Sequence, residues 1–469
     1  MKRREFLEST ALVALATCGC LSRRRATSIP AGSETTQVSS RREPLRVAVI
    51  GVGGQGFVNI QLIRATGDAI VALCDVDETA LATGRAFLES RRDVRTYRDF
   101  RVLFERERDL DAVFISTPDH GHAVQVQWAL ERKIPVYVEP PLARTLAETR
   151  RLHALARAAH VPLWLGIQSR TAKEFHRAAK CLATGMLGRL HTVTAWTNRP
   201  VWPQGIQRPE GTDPVPASLD WNLWLGPAQV RPYREGFYHA FNWRGWRDFG
   251  TGALGDSGCH LLLLPFTVAK LPPASQVACL KGSGAGESYP KATHVRFNCG
   301  ATKRGWFGKR QEPGVTLDWY DGGLKPEGEV FGKVASAFSG KLPASGCLLQ
   351  GDDGIWLSAG LDGREQWLAL GKETRLSQLE VHPACREIMG GTRNIPLPRI
   401  FLNAIRMRMD DFLADGYPVA MLETILCGCV AQQMDTDVPL FWNTGKGRFE
   451  KNFANAANAF ADQPVREGW

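Results

Sequence analysis

Between residues 45 and 165, short apolar runs alternate with segments in which apolar residues recur at helical spacing. Short, continuously apolar runs are typical of strands buried on both faces, and the spacing between them predicts amphipathic helices. The predicted strands cover 47–50, 70–73, a short run near 96, 112–115 and 136–138, and the predicted helices include 56–66, 78–91 and 100–107. Strands that alternate with helices form a parallel, doubly wound sheet, so we expect an α/β dinucleotide-binding domain over residues 44–165.

Residues 166–469 have a different pattern. Strand-like segments at 190–197, 276–280, 294–298 and 316–320 are separated by loops rich in Gly and Pro. The segment 399–414 has helical apolar spacing, and we expect it to pack back between two domains. Because 469 residues are too many for one ordinary hydrophobic core, we expect two domains.

The first 25 residues are predicted to be a targeting segment. Paired arginines precede Phe6 and Leu7 and a short apolar stretch follows, as in twin-arginine export signals. Residues 15–18 are similar to a lipoprotein cleavage site, although Thr17 is larger than the usual residue before the cysteine, so a lipid anchor stays an open alternative. Residues 26–43 are rich in Ser, Thr and Arg and predict a disordered tether. We expect a periplasmic protein, unless the segment is only an amphipathic or disordered start.

The formal charge of +10 falls to +6 without the first 25 residues, which contain six Lys or Arg and two Asp or Glu. The remaining basic residues are scattered and accompany no nucleic-acid-binding motif, so no nucleic-acid partner is expected. No apolar run approaches the roughly 20 residues that span a bilayer, so no transmembrane helix is expected. The cysteines of the body lack partners at zinc spacing, and no metal site is predicted.

The loop after the first predicted strand has the spacing of a dinucleotide-binding turn. Gly51, Gly53 and Gly56 follow the pattern G-x-G-x-x-G between a strand and a helix, and Gly54 and Gln55 complete the loop. In such a loop the first glycine makes the tight turn, the second lets the backbone approach a pyrophosphate, and the third allows the helix to pack closely on the strand. The helix N-terminus then provides the anion site.

Asp75, at the end of the second strand, favours NAD over NADP. Its carboxylate can accept hydrogen bonds from the adenosine ribose and would repel a 2′-phosphate, and Val76 offers no compensating charge. Ligands of parallel sheets bind beyond the carboxyl ends of the strands, so further cofactor contacts are expected there. The residues concerned are Thr117, Pro118, His120, His122 and Glu139. For the two histidines, capping or closing a loop is an equal alternative.

Motifs in both predicted domains share one family pattern. They are Val71-Ala72-Leu73-Cys74-Asp75-Val76-Asp77, Ser116-Thr117-Pro118-Asp119-His120-Gly121-His122, Trp196-Thr197-Asn198-Arg199-Pro200, Asn242-Trp243-Arg244-Gly245-Trp246 and Gly255-Asp256-Ser257-Gly258-Cys259-His260. Together they resemble the glucose-fructose oxidoreductase, inositol dehydrogenase and rhizopine-catabolism (Gfo/Idh/MocA) family, in an exported branch that ends, as here, in Arg-Glu-Gly-Trp. The resemblance implies a second α/β domain with an open, mainly antiparallel sheet, whose back often forms a dimer interface and whose front covers the nicotinamide.

The resemblance also implies a chemistry, because family members oxidise a sugar or polyol alcohol by hydride transfer to nicotinamide. This reaction needs a base for the hydroxyl proton, and neutral histidine suits that task near neutral pH. Asp256 and His260 match the family's Asp-x-x-x-His pair, and on a helix this spacing puts both on one face, where the carboxylate could orient the imidazole. Without the resemblance, His260 would be interpreted as a structural histidine above the apolar run 261–264.

Several positions depart from the family's pattern. Family members usually have Glu-Lys-Pro where this chain has Glu139-Pro140-Pro141, and that lysine holds the substrate hydroxyl. Proline has neither the charge nor an N–H, so it cannot fill this role. Related exported sequences also tend to have an acid, an Asn and a His where this chain has Leu263, Ile167 and Arg170. Arg170 could restore the positive charge, although it cannot transfer a proton as lysine can.

Two aromatic segments, 196–202 and 238–246, could form a wall on which a sugar stacks, because Trp and Tyr have flat apolar faces with a polar edge. The alternative is a core or a dimer surface. The substrate interpretation is favoured for Arg244 and Trp246, and the core interpretation is favoured for Trp221 and Trp224.

The sequence therefore predicts an exported NAD-dependent oxidoreductase acting on a sugar, glycoside or polyol, with His260 as base and Asp256 orienting it. Free NAD is scarce outside the cytoplasm, so NAD should stay bound and be regenerated in place, by sugar-to-sugar hydride exchange or by redox-neutral glycoside cleavage. One alternative is an NAD- or carbohydrate-binding relative that has lost catalysis, consistent with Pro140. A homo-oligomer, dimer or tetramer, is expected, and a purely structural dimer scaffold is a further alternative.

Overall fold

A computed structural model describes residues 43–88, 93–284, 286–300, 314–388, 394–407 and 417–469. The predicted leader at 1–25 and all but the last residue of the predicted tether lie outside the described residues. The predicted fold class is confirmed, because an N-terminal parallel sheet is followed by a domain with a mixed, mostly antiparallel sheet. In the part of the chain that is described, every helix is too short or too polar to cross a bilayer.

The first sheet has six parallel strands. They are β1 (Arg46–Ile50), β2 (Ala69–Cys74), β3 (Arg95–Tyr97), β4 (Ala112–Ile115), β5 (Val136–Val138) and β6 (Leu163–Leu165). The helices that connect them are α1 (Gln55–Arg64), α2 (Glu78–Phe87), α3 (Phe100–Arg106), α4 (Asp119–Glu131) and α5 (Leu146–Ala159). The strand order is β3-β2-β1-β4-β5-β6, so β2 and β3 lie on one side of β1, and β4, β5 and β6 lie on the other. A crevice forms at such a switch point, beyond the carboxyl ends of the strands.

Local sequence accounts for these elements. The side chains of β4 are all fully buried, which is why its sequence is continuously apolar. Short polar side chains start the helices: the Asp77 carboxylate accepts from the backbone N–H of Thr79 at α2. At α5, Thr145 and Glu148 form a capping box in which each side chain accepts from the backbone N–H of the other.

The second domain is built on a sheet of ten strands in the order β14-β13-β12-β11-β7-β10-β9-β8-β15-β16. The strands are β7 (Leu190–Thr197), β8 (Ala274–Lys281), β9 (His294–Cys299), β10 (Val315–Tyr320), β11 (Ser345–Gly351), β12 (Gly354–Ala359), β13 (Glu365–Leu370), β14 (Ser377–Gln378), β15 (Leu440–Asn443) and β16 (Arg448–Glu450). Strands β7 and β10 pair in parallel, and the other described pairs are antiparallel.

The described part of the chain has eight α-helices after β6. They are α6 (Lys173–Ala183), α7 (Trp221–Leu225), α8 (Gly252–Leu261), α9 (Leu263–Ala269), α10 (Glu329–Ala337), α11 (Leu397–Arg406), α12 (Tyr417–Ala431) and α13 (Ala454–Ala461). Gly428 of α12 lies against the Phe297 ring of β9 and a Leu254 methyl of α8, so α12 is packed between the sheet and the helix that carries His260. The core of the second domain therefore fixes the position of α8.

The predicted helix at 399–414 is present as α11 at its N-terminal end, and residues 408–416 lie outside the described ranges. It packs back onto the first domain and also contacts the turn at Gln168–Thr171, where the predicted second domain begins. Phe401 packs edge-on against Phe114 of β4, and the Arg406 guanidinium pairs with the buried Asp68 carboxylate. The apolar face of α11 thus covers the first sheet, because the outer side of that sheet needs an amphipathic helix to bury it.

Candidate functional site

A cavity of about 510 Å³ lies beyond the carboxyl ends of β1, β2, β4 and β5 and is closed on its other side by residues of the second domain. It brings together most of the residues singled out from the sequence. Those that line it are Gly51, Gly53, Gly54, Gln55, Asp75, Thr117, Pro118, His120, His122, Glu139, Arg244, Asp256 and His260. Gly56 lies just behind the loop, and Arg170 and Trp246 lie elsewhere among the described residues.

The glycine loop has the geometry expected of a dinucleotide turn. Gly51 has φ +82°, and a Cβ there would lie 2.7 Å from the carbonyl carbon and oxygen of Ser116 on the neighbouring strand end. At Gly56 a Cβ would lie 1.8 Å from the Gly51 carbonyl oxygen. At Gly53, by contrast, no described atom outside its own chain neighbours lies within 4 Å of such a Cβ. The first and third glycines are therefore required by the fold, and the second faces the cavity.

Asp75 braces this loop. One of its carboxylate oxygens accepts from the backbone N–H of Val52 at 2.7 Å, and the other accepts from the backbone N–H of Asp77 at 3.0 Å. Desolvation raises the pKa of Asp75, and the backbone donors oppose that shift. Each carboxylate oxygen has two lone pairs, so Asp75 can still accept from a ribose hydroxyl while it holds the loop.

The two histidines after β4 join loops. The His120 ring nitrogens lie 2.9 Å from the Trp224 carbonyl oxygen and 3.3 Å from that of Phe249. Those of His122 lie 2.9 Å from the Pro141 carbonyl oxygen and 2.8 Å from that of Thr117. Desolvation lowers the pKa of His120 to about 4 and also lowers the pKa of His122. Both rings are neutral near neutral pH, and both close loops around the cavity that they line.

Glu139 lies at the end of β5, where the family's lysine would follow it. Its carboxylate accepts from the Asn59 side-chain amide at 2.8 Å, and the Gln168 amide lies 3.4 Å away. Desolvation raises the pKa of Glu139 to about 7. Pro140 lines the cavity beside it. Among the described residues that line the cavity, Arg98 and Arg244 are the positively charged ones, and none is a lysine.

The predicted pair Asp256 and His260 lies on α8, and both residues line the cavity. Among the described contacts, none is a hydrogen bond between the two side chains. The Asp256 carboxylate instead faces two guanidinium groups, with one oxygen 3.3 Å from Arg244 Nε and the other 3.6 Å from an Arg199 Nη. The arginines compete for the carboxylate because each carries a full charge, whereas His260 is neutral.

His260 is kept neutral by its surroundings. Desolvation lowers the pKa of His260 below its ordinary 6.5, the nearby Asp256 carboxylate raises it, and Arg199 lowers it. A neutral imidazole that faces a cavity can accept a proton, so His260 retains the property a general base requires. Asp256 acts on this base through its charge.

Arg244 is the positively charged group on the second-domain side of the cavity. Its guanidinium lies 4.6 Å from the Phe241 ring centroid and 4.4 Å from that of Trp243. Stacking on aromatic faces and the Asp256 carboxylate hold the planar group in one orientation. The 3-10 helix Asn242–Gly245 carries Arg244 to this position.

Of the aromatic residues predicted to contact substrate in segment 238–246, Phe241 and Trp243 line the cavity and Trp246 does not. Trp246 is fully buried, and its indole N–H donates to the Phe237 carbonyl oxygen at 2.7 Å, within an apolar cluster that includes Trp221 and Trp224. Trp196 is also fully buried, and its ring packs edge-on against Phe331 of α10. Trp196, which was predicted to belong to an aromatic wall at 196–202, is therefore a core residue. Trp224 belongs to the same apolar cluster as Trp246 and also lines the cavity.

Arg170 is buried and is not among the cavity-lining residues, so it does not supply the charge that Pro140 lacks. The sequence places it near the end of β6, but the 3-10 helix Gln168–Thr171 presents Gln168 to the cavity instead. Sequence position alone could not decide which residue of this tight turn faces inward.

Asp119 is a site residue that sequence reasoning passed over. It lines the cavity, and its carboxylate accepts from the Thr251 hydroxyl at 2.7 Å. Desolvation, opposed by that hydrogen bond, raises the pKa of Asp119 to about 7. Its position directly after Thr117 and Pro118 in a strand-end loop was the available signal. Trp469 and Arg98 also line the cavity and were missed.

A strand-turn-helix glycine loop and an acid after β2 define a dinucleotide-binding site, and a neutral histidine of the second domain faces the same cavity. Comparison with known families agrees. Residues 45–167 match the NAD-binding Rossmann fold of the Gfo/Idh/MocA oxidoreductase family, and residues 173–267 match the family's C-terminal α/β domain. These two regions are similar to that family, and the NAD prediction is confirmed.

Individual relatives agree over shorter stretches. Myo-inositol 2-dehydrogenase of Thermotoga maritima is 28% identical over 178 residues, which are 38% of this chain and 48% of the relative. A glycosyl hydrolase family 109 protein of a Shewanella species is 34% identical over 160 residues, which are 31% of this chain and 35% of that protein. The matches thus span at most about half the length of these relatives.

A solved structure extends the likeness in fold. An inositol dehydrogenase homologue from Azotobacter vinelandii, in complex with NAD+, superposes with a TM-score of 0.56. The two chains are 18% identical, and the superposition covers 86% of this chain and 99% of the other. The architecture therefore continues beyond residue 267, where the sequence match to the family ends.

Proposed function

We propose that this protein oxidises an alcohol group of a sugar, glycoside or polyol by hydride transfer to tightly bound NAD, and that it works after export to the periplasm. The observation that carries the proposal is that a neutral histidine, His260, faces the same cavity as the glycine loop of an NAD-binding domain. Inositol dehydrogenation in one relative makes a polyhydroxy substrate the natural expectation.

The residues fit NAD. The N-terminus of α1 follows the glycine loop and has no side-chain cap, which suits an anionic pyrophosphate, and Gly53 leaves its approach open. Asp75 offers lone pairs to the adenosine ribose. NAD, when bound, supplies the hydride acceptor. The chain supplies the rest, which is a base, a charge that positions the hydroxyl, and exclusion of water.

His260 removes the hydroxyl proton as the carbinol carbon loses its hydride. Asp256 stabilises the resulting imidazolium through its charge, which offsets the nearby positive charge of Arg199. Arg244 takes over the binding part of the missing lysine's role, because its fixed guanidinium can donate to a substrate oxygen. Since arginine does not give up its proton, proton transfer is left to His260 alone.

A second candidate is a relative that still binds NAD or a carbohydrate but has lost catalysis. The observation in its favour is Pro140, together with the lack of any lysine among the described residues that line the cavity. Both candidates are compatible with a bound NAD, so finding the cofactor does not separate them.

The experiment that tests the proposal has two readouts. Protein purified from its exporting host is denatured, and released NAD is measured; we expect close to one NAD per chain. The intact protein is then assayed with a panel of sugars, glycosides and polyols, beside His260→Gln. Turnover by the native protein that His260→Gln loses supports the proposal. An empty protein that binds no added NAD refutes the proposal, and retained NAD without turnover favours the second candidate.

A further inference from the structure

The residues Gln463 to Trp469, which we call the C-terminal segment, return to the first domain after α13. The ring of Trp469 packs against Phe100 at the start of α3, with ring centroids 6.2 Å apart, and the Arg101 guanidinium lies 4.2 Å from the ring centroid. Trp469 also lines the cavity. A tryptophan at the far end of the chain thus reaches the edge of the NAD-binding sheet.

The end of the cavity that Trp469 borders is the adenosine end. Asp75 and Val76 follow β2 there, and Arg98 and Phe100 follow β3. In a sheet of this type, the acid after the second strand binds the adenosine ribose, so the adenosine half of the dinucleotide lies beside these strand ends. His260 and Arg244 line the second-domain side of the same cavity.

Several contacts hold the C-terminal segment in place. The backbone N–H of Arg466 donates to the Pro227 carbonyl oxygen at 2.9 Å, and the guanidinium of Arg466 donates to the Asn222 side-chain oxygen at 3.0 Å. Arg101 donates to the Gly468 carbonyl oxygen at 3.2 Å. The segment is therefore fastened to α3 on one side and to the region of α7 on the other.

The opposite wall at this point is made by the loop after α7. Gly226 and Pro227 line the cavity, and the nearest neighbours of a Cβ at Gly226 would include Trp469 ring atoms at 3.6 Å and 3.8 Å. The Trp469 ring therefore bridges the gap between the first domain and this loop. The ring thus forms part of the cavity wall at its adenosine end.

From these contacts we infer that Trp469 is part of the NAD site and slows release of the cofactor from its adenosine end. An indole offers a flat apolar surface to a purine, and its removal opens a path for the cofactor. The inference rests on the proposed function in one respect, since slow release matters for an enzyme that regenerates its NAD in place.

The test is an exchange measurement on the full-length protein with its bound NAD. Native protein and variants are mixed with excess isotope-labelled NAD, and the fraction of labelled cofactor retained is followed by mass spectrometry. We expect Trp469→Ala to exchange roughly tenfold faster, since an aromatic contact to a base is worth on the order of 1–3 kcal/mol and 1.4 kcal/mol is tenfold. Trp469→Phe should stay near the native rate, because it keeps a ring.

Two further variants control for structure. Val465→Ala changes a side chain in the same segment that is 36% exposed and should exchange at the native rate. Arg466→Ala loosens the segment without removing the ring and should also accelerate exchange. Equal rates for native protein and Trp469→Ala, with NAD bound to both, overturn the inference. If native protein already exchanges NAD within the mixing time, tight retention in the proposed function fails instead, whatever the variants do.

Discussion

Adding one methyl group at Gly53 separates cofactor binding from folding. Gly53 is exposed, its φ is not in the left-handed region, and no described atom outside its chain neighbours lies within 4 Å of a Cβ built there. Gly53→Ala should therefore fold normally and gain about 0.4–1 kcal/mol, because alanine reduces the entropy of the unfolded chain. In the complex, however, the methyl group occupies the surface that the pyrophosphate approaches.

The expected loss of affinity follows from the hydrogen bonds that this approach allows. Moving the pyrophosphate away from the loop removes one bond from a backbone N–H group to a charged oxygen, worth about 1.5–3 kcal/mol. NAD should bind about 10- to 100-fold more weakly, since each 1.4 kcal/mol is about tenfold. The cofactor-dependent rise in melting temperature should shrink accordingly.

Gly56→Ala is the matched comparison. Its Cβ would lie 1.8 Å from the Gly51 carbonyl oxygen, so α1 must move away from β1. Overpacking of this kind costs about 1–3 kcal/mol, and the melting temperature should fall even without NAD. The assay is thermal unfolding of each protein at increasing NAD, after bound cofactor is removed. If Gly53→Ala binds NAD as tightly as the native protein, the assignment of this loop to the pyrophosphate is refuted.

Three further results are expected. His260→Gln should lower the turnover rate by about 10²- to 10⁴-fold while NAD content is unchanged; in the native protein, the rate should fall on acidification only below pH 6.5, the ordinary histidine pKa, because the pKa of His260 is lowered. Pro140→Lys should raise turnover, with Pro140→Met as uncharged control; a gain in both would contradict a role for charge. The pKa of Glu139 is raised from 4.5 to about 7. Between these pH values the Glu139 carboxyl is protonated in the folded protein and ionised in the unfolded chain, so the folded protein loses stability as the pH rises from 4.5 to 7. As the pH rises from 4.5 to 7, urea unfolding should show the native protein losing about 3 kcal/mol of unfolding free energy relative to Glu139→Gln. A difference in unfolding free energy between the two proteins that does not change with pH would contradict the buried, protonated carboxyl.

Local pattern was sufficient for the first sheet. Continuous apolar runs and helical spacing set β1, β2 and β4 within a residue or so of their observed bounds, because each strand is buried on both faces and each helix packs one face. The cavity residues that follow these strands could be named for the same reason, since topology alone brings their carboxyl ends together.

Contacts between distant segments could not be predicted this way. The Asp256 carboxylate pairs with Arg199 and Arg244. No spacing along the chain indicates that these two arginines, and not His260, would be its partners. The same holds for Trp246, which looked like a substrate contact and is buried, and for Trp469 at the edge of the cavity. Their positions depend on how the loops between β7 and α8 pack, where glycine, proline and aromatic residues give no clear periodicity.

The central claim is that His260 and a bound NAD act on the same alcohol. Its most direct test is to add a panel of sugars, glycosides and polyols to the NAD-containing protein and to record the absorbance of enzyme-bound NADH. We predict NADH formation with at least one member in the native protein and none in His260→Gln at equal NAD content. Formation of NADH at the same rate in His260→Gln would contradict the account, as would a native protein that holds NAD and never reduces it.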